Sequence, residues 1–242
     1  MAGRPVLVSW SSGKDSAWAL HVLRRQPDRY DVRGIFTTIT PHFERVAIQA
    51  TPRRVLRVQA ERLGLPLYEI PIPYPCPNEA YEAAMSRFLD QVRSLPPDLR
   101  ANSFAFGDLF LDDIREYREA NLEGTGFEAI FPVWGAPTDA LAQTMLDSGL
   151  KAIVTAVRPD SKLDRSFAGR WFGQSFLDDL PEGTDPLGEH GEFHTCVVDG
   201  PMFDRPIAAR PGAIVGRPVS RNHDGSGGTV TAWYADVELL ED

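Results

Sequence analysis

The sequence predicts an α/β protein, with residues 1–158 built around a buried parallel sheet and residues 159–242 forming a smaller α+β region. Three observations predict it. Short apolar runs alternate with helical patterns from Val6 to Val157, the signature of successive βαβ units. After Arg158-Pro159, Gly and Pro become frequent and strand patterns dominate. The length of 242 residues, with 43% hydrophobic and 24% charged, is ordinary for a globular chain and excludes disordered or collagen-like classes.

The first strand is Val6-Leu7-Val8, followed by a polar loop and a helix that begins near Asp15. Gly34-Ile35-Phe36 is the second strand, and Thr37, Thr38 and Thr40 end it. Leu56, Ala60 and Leu63 fall on one helical stripe that stops at Gly64 before Pro66. Leu67 to Ile72 is again a strand. In the next helix Tyr81, Ala84, Met85, Phe88, Leu89 and Val92 recur in steps of three and four, and Asn78 is placed to cap it. Phe104 to Phe106, Ala129 to Phe131 and Ala152 to Val157 complete the strand series. Asp160 to Arg170 carries neither pattern, and a loop of that length is a candidate lid. A short helix is expected around Phe172 to Leu180. The last strand shows Trp233, Ala235, Val237 and Leu239 alternating with Tyr234, Asp236 and Glu238, preceded by the turn-forming run Asp224 to Gly228.

Charge and cysteine usage narrow the function. Lys and Arg number 25 against 34 acids, a net charge of −9 and a pI of about 5.1. That balance disfavours nucleic acid as the main partner. The cysteines, Cys76 and Cys196, form no CxxC pair, so neither a disulfide framework nor a structural zinc knuckle is expected. No segment reaches the length of a membrane span, and Val6 to Val8 ends too early for a signal peptide; a cytoplasmic protein is expected.

The richest chemistry lies at Ser9-Trp10-Ser11-Ser12-Gly13-Lys14-Asp15-Ser16, between the first strand and a helix. A turn there aims unpaired backbone N–H groups and the positive end of the helix dipole at one point, which suits phosphate. Gly13 permits close approach, Lys14 adds charge, and Ser11, Ser12 and Ser16 add hydroxyls. A Walker A loop would need a glycine where Val8 stands and Ser or Thr where Asp15 stands. A Ser/Gly-rich capped turn is the plain alternative.

This loop resembles the PP-loop, SGGxDS, of the ATP pyrophosphatase superfamily, with Ser12 in place of the first glycine. Further stretches are similar to one branch, the diphthine-ammonia ligase family and its prokaryotic relatives. Phe106-Gly107-Asp108-Leu109, trailed by Arg115 and Tyr117, resembles the GDI segment. Phe131-Pro132-Val133-Trp134 resembles the PLW signature. Asp185-Pro186-Leu187-Gly188-Glu189-His190-Gly191-Glu192-Phe193-His194-Thr195 resembles the GE-x-GE-[FY]-HT block, with Asp199-Gly200-Pro201 and Phe203 behind it.

The resemblance implies a doubly wound, mostly parallel sheet of the HUP, adenine nucleotide α-hydrolase-like type. It implies ATP and Mg²⁺ as cofactors, and ammonia and a carboxylate acceptor as substrates. The reaction would be adenylation with release of AMP and pyrophosphate, followed by amide formation. In the family the acceptor is a modified histidine on translation elongation factor 2; in a bacterium it would be something else. Carried onto this sequence, Ser11, Ser12, Gly13, Lys14, Asp15 and Ser16 bind phosphates, and Thr37, Thr38 and Gly107 complete the nucleotide site. Asp15 and Asp108 hold the metal, with Lys14 counted among the catalytic residues. Glu189, His190, Glu192, His194 and Thr195 form the acceptor or ammonia pocket, with Glu192 or His194 as proton acceptor.

Other readings stand beside these. Asp108 reads equally well as a helix cap, and Trp134 reads better as core. The HxE of His190-Gly191-Glu192 lacks the PCxxC partner of zinc deaminases, which makes zinc the weaker reading. Arg53, Arg54 and Arg57 read as a solvated helix face. The function classes in competition are a non-catalytic ATP or AMP sensor and another PP-loop chemistry such as tRNA modification. A homo-oligomer is left open by the sequence.

Overall fold

A computed structural model describes residues 3–47, 49–158, 161–220 and 228–240. In chain order it contains β1 (Arg4–Ser9), α1 (Lys14–Arg24), β2 (Tyr30–Thr40), β3 (Arg45–Val46), α2 (Arg53–Leu63), β4 (Leu67–Pro71), α3 (Asn78–Ser94), β5 (Ser103–Ala105), α4 (Asp112–Leu122), β6 (Glu128–Ile130), α5 (Thr138–Asp147), β7 (Lys151–Val157), β8 (Trp171–Phe172), α6 (Gln174–Asp178), β9 (Phe193–Asp199), β10 (Ala209–Ser220) and β11 (Thr229–Leu239).

The first sheet runs β4-β2-β1-β5-β6 with every pairing parallel. From β1 the chain steps outward to β2 and β4, then returns to the other side of β1 for β5 and β6. That reversal leaves a crevice outside the carboxyl ends of β1 and β5, the place where open α/β sheets bind ligands. Alternation along the strands fills two cores. Val6, Val8 and Ile35 point to the face covered by α1, α2 and α5, whereas Leu7, Phe36 and Phe104 point to the face covered by α3. Phe36, Phe88, Phe104 and Phe127 stack there with centroids 4.9–5.8 Å apart, contacts of about 0.5–1.5 kcal/mol each beyond area burial.

Beyond Phe36, the last β2 residue paired with β1, β2 continues and pairs antiparallel with β3. The connection after β3 therefore lies over the carboxyl edge of the sheet, and α2 ends at Gly64 in the left-handed region, as its sequence predicts. Asn78 opens α3 as its first residue behind Pro77 and makes no side-chain cap, which corrects the expected capping role.

The second sheet is antiparallel. β7 carries β9 on one edge and β8 and β11 on the other, and β10 pairs with β11. Here the expectation from the alternating pattern fails: β7 belongs to this sheet and makes no pairing with the parallel one. Its sequence, Lys-Ala-Ile-Val-Thr-Ala-Val, is buried from Ala152 onward because the strand is central, and a strand buried on both faces reads the same in either kind of sheet. β11 shows the predicted alternation, with Ala235 and Val237 buried. The turn-forming run Asp224 to Gly227 lies outside the described residues. Helix α2 packs between the sheets, sending Leu56, Ala60 and Leu63 toward β1 and Val55 toward Ile153, Cys196 and Val237. Among the described residues no helix is long and apolar enough to cross a membrane.

Candidate functional site

The loop after β1 is held from both sides. Trp10 is fully buried and its indole N–H donates to Gln59 Oε1 at 3.0 Å. The Ser12 carbonyl accepts from the Val197 N–H at 2.8 Å and from Gln59 Nε2 at 3.2 Å, and Gln59 Nε2 also donates to the Val197 carbonyl at 2.7 Å. One buried amide thus joins the loop, α2 and β9. Ser12 adopts φ of +71°, the left-handed region that favours glycine, at the position where the resembled motif has glycine. A non-glycine residue there costs about 1–2 kcal/mol, and its buried hydroxyl has no partner. Gly13 N–H donates to Ser11 Oγ at 3.2 Å, Ser16 Oγ donates to the Gly13 carbonyl at 3.0 Å, and the Ser11 and Ser16 hydroxyls lie 3.0 Å apart. Gly107, just past β5, packs onto the first turn of α1; a Cβ there would stand 2.8 Å from the Asp15 carbonyl carbon.

This packing opens a cleft of about 210 Å³ whose first wall includes Ser9, Ser11, Asp15, Ser16, Gly107 and Asp108. The facing wall is the Leu187–His194 segment, contributing Glu189 and His194, with Gln49 and Arg118 at the sides. Of the residues expected at the site, Ser11, Asp15, Ser16, Gly107, Asp108, Glu189 and His194 come together here. Ser12, Gly13, Lys14, Thr37, Thr38, His190, Glu192 and Thr195 do not line the cleft.

Lys14 departs most from expectation. Its side chain is 2% exposed and enclosed by Leu187, Phe172 and Phe193. The ammonium donates to the Leu187 carbonyl, sits 3.0 Å from the Asp15 carboxylate, and lies over the Phe193 and Phe172 rings at 5.2 and 5.9 Å. It ties the Leu187 turn to the loop after β1 and does not line the cleft. Thr195, expected to touch substrate, is buried, and its Oγ1 accepts from the Lys14 backbone N–H at 3.1 Å. Glu192, expected to accept a proton, is consumed by its own turn: Oε1 accepts from the Asp185 N–H at 3.2 Å and Oε2 from the His190 N–H at 3.0 Å. His190 is exposed with its ring edge-on to Phe110. Thr37 and Thr38 sit at the carboxyl end of β2, one strand from the loop, and the Thr38 carbonyl accepts from the Ala47 N–H.

The acid that faces the cleft is Glu189. Burial pushes its carboxyl up to about 8, reinforced by the negative charges of Asp15, Asp185 and Asp108 against the pull of Lys14. Burial likewise raises Asp15, opposed by Lys14. His194 is driven down to about 4 by burial and by the cations Lys14 and Arg158, so its imidazole is neutral near pH 7. Among the described residues no group of three or more His, Cys, Asp or Glu is arranged to hold a metal. Asp15 and Asp108 both line the cleft, and one or two carboxylates are what magnesium takes where water and phosphate oxygens complete its shell.

The remaining candidates are structural. Arg53 pairs with Glu69 and Glu44, Arg54 with Asp236, and Arg57 with Glu69, so this helix face is tied into ion pairs. In the expected lid, residues 161–170 do not line the cleft; Leu163 and Ala168 are core, and Gly169 and Arg170 bond to Val154. Arg115 lies over Phe131 and Trp134. Sequence reasoning missed Ser9, Gln49 and Arg118. Arg118 lies one helical turn beyond Arg115 on α4, and that spacing was the available signal.

A comparison with curated proteins gives no match. Residues 137–214, from the start of α5 into β10, match the family model described as the diphthamide synthase C-terminal domain, and this match supports placing the chain with the diphthine-ammonia ligase-like family that its motifs resemble.

Proposed function

We propose that the chain is an ATP-dependent amide ligase that adenylates a carboxylate and transfers ammonia to it. The observation that carries this reading is the single cleft in which Ser11, Asp15 and Ser16 face Glu189 and His194. The loop resembles one that cleaves between the α and β phosphates, and the facing segment lies within the matched family region.

In this reading the loop after β1 and the end of β5 supply the nucleotide wall and the Leu187–His194 segment the acceptor wall. The Ser11 and Ser16 hydroxyls and the first-turn N–H groups of α1, which have no acceptor inside the helix, receive phosphate oxygens. Bound magnesium, held by Asp15 and Asp108, would supply charge compensation to the phosphates. A carboxylate oxygen of the acceptor attacks the α-phosphorus and pyrophosphate leaves. Ammonia then attacks the acyl carbon, AMP leaves, and the nitrogen gives up a proton. Glu189 is the group placed to take that proton in its ionised form, a minority at neutral pH because its carboxyl stands at about 8. His194, neutral, orients the acceptor or ammonia by hydrogen bonding. Nucleotide binding alone requires no such acid beside the phosphates, which sets this reading against a sensor.

The test is product analysis with ATP, Mg²⁺, ammonium and a panel of free and protein-borne carboxylates. AMP and pyrophosphate are expected; ADP and phosphate would overturn the adenylation scheme.

A further inference from the structure

With Lys14 withdrawn, the phosphate end of the cleft needs another cation. Among the described residues lining it, Arg118 is the one guanidinium or ammonium, set against Asp15, Asp108 and Glu189. Its guanidinium is supported from several sides. Nε lies 3.5 Å from Asp108 Oδ2, too long for a strong ion pair, the plane lies over the Phe106 ring at 4.9 Å, and the Tyr81 hydroxyl is beside it. The side chain is 28% exposed and lines the cleft. Its position also fits. α4 follows β5, Gly107 abuts the Asp15 and Ser16 backbone, and a ligand seated on the first turn of α1 therefore has the β5 side as its near neighbour.

We infer that Arg118 is the phosphate-contacting cation of this cleft, binding the β and γ phosphates of the nucleotide through its planar fork and staying with them as pyrophosphate leaves. The inference rests on the cleft being the nucleotide site, and it assigns to Arg118 the role that sequence alone gives to Lys14. Asp108 orients the fork, and the Phe106 face keeps it from swinging toward solvent.

The test is titration calorimetry with inorganic pyrophosphate and EDTA, which removes the metal and the reaction from the readout. Wild-type protein is expected to bind. Arg118→Gln should bind at least about tenfold more weakly, the loss expected for one charge-assisted contact of about 1.5–3 kcal/mol. Asp108→Asn/Arg118→Gln should remain about as far below Asp108→Asn alone. Thermal melts check folding, and Arg118→Lys, which keeps the charge beside Asp108 and loses the fork, is measured as the milder variant. Equal binding by wild type, Arg118→Gln and Arg118→Lys overturns the inference. So does a double variant that recovers the affinity of Asp108→Asn, because Arg118 would then act only by neutralising Asp108. Wild-type protein that binds neither pyrophosphate nor a non-hydrolysable ATP analogue overturns the nucleotide reading itself, a failure distinct from either.

Discussion

The two walls of the cleft are built in opposite ways. The hydroxyl face of the first comes from one short stretch of chain, in which Ser11, Gly13 and Ser16 bond to one another within a single turn, and the end of β5 adds only Gly107 and Asp108 beside it. The second is assembled at long range. The Leu187–Thr195 segment is fixed by Lys14 and by bonds from Thr195 and Val197 to a loop far away in sequence. A local wall announces its chemistry in its motif. An assembled wall carries the right residue types, but which acid faces the ligand is decided by tertiary contacts.

The largest predicted effect breaks the link between the walls. Lys14→Met leaves Asp15 without its ammonium and the Leu187 carbonyl without its donor, and should cost about 3–5 kcal/mol, measured by urea denaturation. If Lys14 faced phosphate instead, stability would barely change and only nucleotide affinity would fall. Next, Gly107→Ala drives a methyl group into the backbone of Asp15 and Ser16, where nothing flexible can give way. A loss of about 1–3 kcal/mol is expected, together with weaker binding of an ATP analogue because the first turn of α1 must move.

How much of this was legible follows from the same contrast. The parallel strands, the α2 stripe ending at Gly64 and the hydroxyl-rich turn between β1 and α1 are local patterns and were readable. β10 was not, because Pro211, Gly212, Gly216 and Pro218 interrupt any alternation, although the strand pairs with β11 along its length with one bulge. Glu189 and Glu192 could not be separated: both are acids in one glycine-rich turn, and only the folded turn shows Glu192 capturing two backbone N–H groups. Lys14 sits in a loop that resembles a phosphate-binding motif, and its burial depends on Phe172, Phe193 and Leu187, remote residues that no local pattern connects to it.

The two glutamates give a third, smaller effect that sharpens the comparison. Glu189 has its folded value near 8, above the ordinary 4.5, so the native state keeps a proton that the unfolded chain releases, and stability falls as pH rises from about 4.5 to about 8. His194 works oppositely: with a folded value near 4 against 6.5, stability rises with pH between those values. Above about pH 6.5, where His194 no longer opposes it, the Glu189 decline should show in denaturation midpoints up to about pH 8, with the likewise raised Asp15 adding to it in the same direction. Glu189→Gln should leave only the Asp15 part of it, whereas Glu192→Gln should keep it whole and lose about 1 kcal/mol or more at neutral pH from its weakened backbone bonds. The reverse pattern would return the cleft-facing role to Glu192. The smallest effect lies in the local wall: Ser12→Gly relieves the left-handed backbone and removes an unpartnered hydroxyl, and should stabilise the fold by up to about 1 kcal/mol. Destabilisation by the same change would mean that the serine side chain has a role that its surroundings do not reveal.

The central claim is that both walls close on one nucleotide, and a crystal structure with a non-hydrolysable ATP analogue measures it directly. The expected result places the phosphates against Ser11, Ser16 and Arg118, with Glu189 and His194 facing the α-phosphate and the Lys14 ammonium still on the Leu187 carbonyl. A nucleotide bound away from this cleft, or one whose phosphates draw Lys14 out of its aromatic surroundings, would contradict the account.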